Sequence, residues 1–170
     1  MSIAFLLLGS NLGNKEGNLR NAIKLLKKIG KVKKQSAIYE TEPWGFNDEK
    51  NFFNMALCLE TILNPFELIA EIIKIEISIG RTRQIKQWVA REIDIDIIFF
   101  DNLIIDEEHL NIPHPQIKNR KFVLIPMKEI AAEFIHPVFG KSISDLLKEC
   151  PDEGEVELLY EPSFNILSPN

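Results

Sequence analysis

Residues 92–100 read Glu-Ile-Asp-Ile-Asp-Ile-Ile-Phe-Phe. The strict alternation of acid and isoleucine has a period of two, which is the side-chain period of an extended strand. It predicts a strand over about 91–100 with Ile93, Ile95, Ile97 and Phe99 on one face. Asp94 and Asp96 fall on the other face, about 7 Å apart at the rise of a β-strand. Ile98 and Phe100 continue that second face, so it is not simply wet. Two carboxylates at this spacing repel and need cations beside them. Hard oxygen ligands suit Mg²⁺, which typically takes one or two carboxylates together with substrate phosphates. The plain alternative is a solvated acidic strand face.

The segment before this strand sharpens the question. Arg81-Thr-Arg83-Gln-Ile-Lys86-Gln-Trp88-Val-Ala-Arg91 carries four positive charges and no acid. Guanidinium forks match phosphate oxygens, and a basic loop beside paired acids is what a Mg²⁺–polyphosphate complex requires. A solvated charged loop is the other reading, with Trp88 either a hydrophobic anchor or a residue over the ligand. The loop leaves a helix with clear signals: Asn64 at the N-cap, Pro65 at N1, Glu67 at N3 as in a capping box, and Gly80 as the stop. At 100° per residue, Phe66, Leu68, Ile69, Ile72, Ile73, Ile75, Ile77 and Ile79 form one broad apolar stripe. Glu76 sits near its centre. A carboxylate there costs several kcal/mol unless paired, so Glu76 is either one half of a structural pair or a contact at the edge of a site.

The rest of the chain mixes strands and helices with short connections, which makes the class α+β. Ile3–Leu8 reads as a buried strand and Gly9-Ser-Asn-Leu-Gly13 as a turn. A helix follows over 15–29, then strands over 33–41 and 52–61. In the second of these Phe53, Met55, Leu57 and Leu59 share one face, and Phe52, Asn54 and Ala56 the other. Shorter pieces come later: a strand near 103–105, the Pro113-His114-Pro115 turn, a strand at 121–125, and helices near 127–133 and 142–149. His114 is fixed in a stiff turn ahead of Lys118, Arg120 and Lys121. It is either structural or a phosphate contact. His136, ahead of Pro137, reads as structural.

Composition narrows the function. The 170 residues hold 25 acids and 20 bases, but five of those acids lie in 151–170, which has no Lys or Arg. The first 150 residues therefore balance at 20 against 20, and no global basic field invites nucleic acid. The longest apolar run, Ile3–Leu8, is far too short to span a membrane. Cys58 and Cys150 form no CxxC pair, so a reducing cytoplasm is the default. No apolar stripe is left over for an interface, and a monomer is expected.

Taken in order, several segments resemble the 6-hydroxymethyl-7,8-dihydropterin pyrophosphokinases of folate biosynthesis. They are GSNLGN at 9–14, YETEPWGF at 39–46, FFNMALCLET at 52–61, IEISIGRTR at 75–83, REIDIDIIFF at 91–100, PHPQIKNRKFVLIPMKEI at 113–130 and HPVFGKSISDLL at 136–147. The resemblance implies a ferredoxin-like core with an antiparallel sheet flanked by helices. It implies pyrophosphate transfer from ATP to the pterin hydroxymethyl group, release of AMP, and two Mg²⁺ ions on Asp94 and Asp96. Arg81, Arg83 and Arg91 match the family's catalytic loop, and Trp88 its tryptophan. His114, Arg120 and Glu76 match ATP-site residues. Phe52 and Phe122 match the rings that sandwich the pterin, and Asn54 and Thr41 its edge hydrogen bonds. Glu42 and Trp44 are expected to contact the pterin from a loop, 42–46, that could close over it. Val89-Ala90 stands where the family usually has Gly-Pro, and His109 where it has Arg.

On this reading residues 1–150 form one pyrophosphokinase domain. Residues 151–170 form an acidic tail, expected to be dispensable for chemistry although Val156–Tyr160 can pack on the body. A ferredoxin-like RNA-binding module would want a basic face, which the balanced body lacks. A Mg²⁺-dependent phosphohydrolase using the same acids would differ in its products.

Overall fold

The computed structural model describes residues 1–42, 51–80 and 92–160. The expectations for Trp44, Arg81, Arg83, Trp88 and Arg91 lie outside these residues. The first strand, β1 (Ser2–Ser10), is buried from Ala4 to Ser10 on both faces, and so takes an interior place in a six-stranded sheet. On one side it pairs with β5 (Asp94–Phe100). On the other it pairs with β4 (Phe52–Thr61), which in turn holds β2 (Lys31–Gln35) and β3 (Ile38–Thr41). Every pairing is antiparallel. The helices α1 (Lys15–Leu26) and α2 (Pro65–Ile79) cover one face, and α3 (Lys121–Ala131) and α4 (Ile143–Lys148) the other. A small hairpin, β6 (Ile105–Glu107) with β7 (Leu110–Ile112), stands beside β5. This is the expected ferredoxin-like order, with β1 between the strands that follow α1 and α2.

Two cores result. Leu6, Leu8, Leu57, Leu59, Ile95 and Ile97 meet Leu19, Ile23 and Leu26 of α1 and Leu68, Ile72 and Ile75 of α2. On the opposite face Phe5, Leu7, Ala56 and Ile98 meet Val123, Leu124 and Met127 of α3 and Ile143 and Leu146 of α4. Each fully buried Leu, Ile or Phe contributes about 1.5–3 kcal/mol. The helix signals hold: Asn64 accepts from the N–H groups of Phe66 and Glu67, Glu67 returns the bond to the Asn64 N–H, and Gly80 takes φ 125° at the C-cap.

Five expectations are corrected. Phe99 does not share a face with Ile93, Ile95 and Ile97. A β-bulge, where the pairing steps from Leu6–Ile97 to Phe5–Phe99, inserts Ile98 and turns Phe99 into the α3/α4 core and Phe100 into the other. The strand expected over 33–41 breaks at Ser36–Ala37. There the Ser36 hydroxyl accepts from the Ala56 N–H, and Glu129 of α3 accepts from the Ala37 N–H. The strand expected at 121–125 is the first turn of α3. Four consecutive apolar residues, Phe122–Ile125, imitate a buried strand, but Val123, Leu124, Met127 and Ile130 recur at helical spacing and pack on the sheet. Pro126 forgoes one backbone donor inside that helix. The α2 stripe is narrower than its sequence, since Phe66 and Ile77 are exposed. The short strand expected at 103–105 begins only at Ile105.

Residues 156–160 do more than pack loosely on the body. They form β8 (Val156–Tyr160), an antiparallel edge strand on β3. Among the described residues no helix is long and apolar enough to cross a membrane.

Candidate active site

The pairing register draws one row across three strands: Asp94 on β5, Gly9 on β1 and Asn54 on β4. The next row is Asp96, Leu7 and Ala56. Adjacent strands lie about 4.8 Å apart, so Asp94 and Asn54 stand about 10 Å apart with Gly9 between them. Ala56 and Leu7 belong to the α3/α4 core, so Asp94, Asp96 and Asn54 stand on that same face. A floor without a side chain thus separates a carboxylate from an amide. Gly9 leaves little room of its own: a Cβ there would lie 2.9 Å from Asn54 Oδ1 and 3.7 Å from Phe52 Cδ1.

The amide is held in place. Asn54 Nδ2 donates to Thr41 Oγ1 at 2.6 Å, and both residues are buried. That bond turns Nδ2 toward β3 and Oδ1 toward Gly9. Phe52 lies two residues along β4 on the same face and is half-buried. Phe122 sits in the first turn of α3, also half-buried, with the Arg120 guanidinium carbon 5.8 Å from its ring centroid. Glu42 follows β3 directly and is exposed.

The opposite end of the row is charged. Arg120 is buried beside the aspartate pair. Burial pushes its guanidinium below the usual range, while Asp96 first and then Asp94 push back. His114 is pulled down to about 4, chiefly by burial and then by the Arg120 charge, against the opposing pull of Asp94. At neutral pH its imidazole is therefore uncharged. Its Nδ1 accepts from the Gln116 N–H at 3.2 Å, which puts the proton on Nε2. Its backbone N–H donates to the Ile98 carbonyl at 3.0 Å, docking the turn onto β5.

Glu76 reaches the same strand from the other face. It is 4% exposed, and its Oε1 accepts from the Ile95 N–H at 2.8 Å. That amide lies between the two aspartates, so α2 grips β5 at the residue from which Asp94 and Asp96 both extend. The Ile95 N–H is thus one partner of this buried carboxylate, and it lies beside the site.

The structure thus brings Thr41, Phe52 and Asn54 together at one end of the row, and Asp94, Asp96, His114 and Arg120 at the other. A Cβ on Gly80 would lie 3.5 Å from Glu92 Cγ, so these two residues stand side by side; Arg81, Arg83, Trp88 and Arg91 lie outside the described residues. Among the described residues no cluster of three or more His, Cys, Asp or Glu is poised for a metal. A pair of carboxylates nonetheless fits Mg²⁺, whose remaining ligands are commonly water and substrate phosphate. Sequence reasoning placed Gly9 in the Gly9–Gly13 turn rather than in the floor between Asp94 and Asn54, where it lies within β1. It also missed Asp152, which accepts from the Lys121 N–H at 3.0 Å at the start of α3.

Comparison with known proteins identifies the family. The profile of the family described as 7,8-dihydro-6-hydroxymethylpterin-pyrophosphokinase matches residues 5–132. The 2-amino-4-hydroxy-6-hydroxymethyldihydropteridine pyrophosphokinase of Bacillus subtilis is 44% identical over 134 residues, covering 78% of this chain and 80% of its own. That of Aquifex aeolicus is 37% identical over 149 residues, covering 88% and 92%. Among solved structures, wild-type Plasmodium falciparum HPPK-DHPS superposes with a TM-score of 0.69 at 20% identity, covering 88% of this chain and 43% of that one. At that identity the likeness speaks for the fold.

Proposed function

The chain belongs to the 7,8-dihydro-6-hydroxymethylpterin-pyrophosphokinase family, and on that premise we propose how its own residues divide the work of pyrophosphoryl transfer. The reaction moves pyrophosphate from ATP to the hydroxymethyl group of 6-hydroxymethyl-7,8-dihydropterin in folate biosynthesis. The hydroxymethyl oxygen gives up its proton and forms a bond to the β-phosphorus, the bond from that phosphorus to the α–β bridging oxygen breaks, and AMP leaves.

The observation that carries the assignment is the Asp94–Gly9–Asn54 row, with charge at one end and a hydrogen-bonding amide at the other. Asp94 and Asp96 would hold two Mg²⁺ ions. A metal held by these residues would supply Lewis-acid stabilisation of the charge on the departing α-phosphate. Arg120 adds fixed positive charge in a buried setting, where it is worth more than in water. The His114 Nε2–H donates to a phosphate oxygen as a neutral imidazole. Glu76, assigned by resemblance to the ATP site, acts in this geometry through the Ile95 amide.

At the other end the pterin ring stacks between Phe52 and Phe122, and Asn54 and Thr41 read its donor–acceptor edge. A buried amide left unpaired penalises any ring lacking that edge. Glu42 and Trp44 complete the pterin side. Arg81, Arg83 and Arg91 contact the β- and γ-phosphates most strongly in the transition state, and Trp88 contributes to ATP binding. No described side chain is placed as a strong general base, so positioning and electrostatics carry the rate. The free thiols of Cys58 and Cys150 suit a reducing cytoplasm, and we take the enzyme to act there as a monomer.

The experiment is phosphorus NMR of a mixture of protein, Mg²⁺, ATP and hydroxymethyldihydropterin. AMP and a pterin diphosphate are expected. ADP with a pterin monophosphate, or inorganic phosphate alone, would overturn the reading in favour of an ordinary kinase or a hydrolase.

A further inference from the structure

Helix α3 begins at Lys121, and its N-cap residue, Arg120, makes no side-chain capping bond. The first N–H groups of a helix have no partner within it. Here one is met from a distance of 31 residues: Asp152 Oδ2 accepts from the Lys121 N–H at 3.0 Å. Asp152 is itself fixed, because its Oδ1 accepts from the Gly154 N–H at 2.9 Å. Lys121 Nζ closes the loop by donating to the Gly154 carbonyl at 3.4 Å. A carboxylate at this end of a helix gains both from the hydrogen bond and from the helix dipole.

The helix start in question carries Arg120 and Phe122, one on each side of Lys121. The same C-terminal segment then runs on as β8, which pairs with β3 so that Val156 stands opposite Thr41. Thr41 in turn receives the Asn54 amide. Farther along, the Tyr160 hydroxyl donates to Glu16 Oε2 at 2.8 Å, which ties the segment to the first turn of α1. The segment therefore grips both walls of the proposed pterin cleft. One is the strand end bearing Thr41, the other the helix start bearing Phe122.

We propose that Asp152 is a positioning residue for pyrophosphoryl transfer, capping α3 from the C-terminal segment so that Phe122 and Arg120 face the substrates. This rests on the pterin site described above, and it departs from the expectation that residues 151–170 are dispensable for the chemistry. Asp152 touches neither substrate. It acts through the Lys121 amide on the ring at 122 and the guanidinium at 120.

The test is Asp152→Ala beside Asp152→Asn, with pterin affinity measured by fluorescence titration well below the melting temperature of each sample. Asp152→Ala is expected to weaken pterin binding about 5- to 10-fold, the scale on which loss of a helix cap acts. Asp152→Asn keeps an oxygen acceptor at the cap and is expected to stay within about 2-fold of wild type. Asp152→Ala with a lowered melting temperature but unchanged pterin affinity would overturn the proposal, because a purely structural cap moves only the first quantity. Should Asp152→Ala fail to fold, amide hydrogen exchange in the wild type reads the same cap. Strong protection at Lys121 is expected, and exchange at the rate of an open chain would overturn it. A wild type that bound no pterin would overturn the proposed pterin site itself. A wild type that binds, beside an equally good Asp152→Ala, overturns only the role of Asp152.

Discussion

Glu76 offers the sharpest test of how the aspartate pair is held. Replacing it with Leu keeps the apolar contacts of α2 and deletes the acceptor of the Ile95 N–H, a 2.8 Å bond made by a residue 4% exposed. A buried amide left without its charged acceptor costs about 1.5–3 kcal/mol. At about 2–4 °C per kcal/mol for a chain of this size, the melting temperature should fall by roughly 3–12 °C. The catalytic effect should exceed the stability effect at working temperature. The Ile95 amide lies between Asp94 and Asp96, and losing an orienting partner of a metal ligand typically costs about 10- to 100-fold in metal affinity. The assay is initial rate against Mg²⁺ concentration at fixed ATP and pterin. Glu76→Leu should raise the half-saturating Mg²⁺ by about that factor, whereas Glu76→Gln, which keeps an oxygen at the same place, should stay close to wild type. An unchanged Mg²⁺ dependence in Glu76→Leu would refute the reasoning. A Gln variant as impaired as the Leu variant would show instead that the charge itself meets the nucleotide.

Other expectations bear on the rest of the row. Asp94→Asn and Asp96→Asn preserve size and fold but should each lower turnover by orders of magnitude; either one with near-normal turnover at saturating Mg²⁺ removes the metal assignment. Gly9→Ala should weaken pterin binding about 5- to 150-fold with ATP affinity little changed, because overpacking against Asn54 Oδ1 at 2.9 Å costs roughly 1–3 kcal/mol. Equal losses for the two ligands would point to general distortion of the sheet. His136 is buried with its Nδ1 accepting from the N–H groups of Val138 and Phe139, and burial lowers its pKa. The unfolded chain therefore takes up this proton first as pH falls, so stability is full above about pH 6.5 and declines below it, by at most ~1.4 kcal/mol per pH unit. Melting curves at pH 7 and pH 5 should show a smaller decline in His136→Asn than in wild type, and equal declines would remove the assignment.

Much of this was legible in the residues themselves, wherever the signal lay inside one element. The capping box at Asn64–Glu67, the stop at Gly80, the shared face of Phe52 and Asn54, and the paired faces of Asp94 and Asp96 all follow from spacing along a single strand or helix. The anomalous carboxylate of Glu76 was also visible, as an acid in the middle of an apolar stripe. Its bond to the Ile95 N–H was not. A backbone N–H on β5 leaves no mark in a side-chain pattern. Asp152 was invisible for the same reason, and its position in an acid-rich tail with no base made it look solvated. The apolar run Phe122–Ile125 misled because four residues are too few to separate a period of two from one of 3.6.

What local pattern could least supply is register, and register is what assembles the site. Leu7 and Gly9 of β1 pair with both neighbouring strands, so one alternation fixes at once which residues of β4 and β5 share a face. Slipping β5 by one residue would turn Asp94 and Asp96 into the α1/α2 core and expose Ile95 and Ile97. The bulge at Ile98 lies beyond Asp96, on the side away from the row. It therefore leaves the pairing of Asp94 and Asp96 intact while letting both Ile98 and Phe99 fill the α3/α4 core. A strictly alternating strand would have sent Phe99 to the wrong face. The irregularity thus allows a single strand to present two carboxylates at one end and two large apolar side chains to a core at the other.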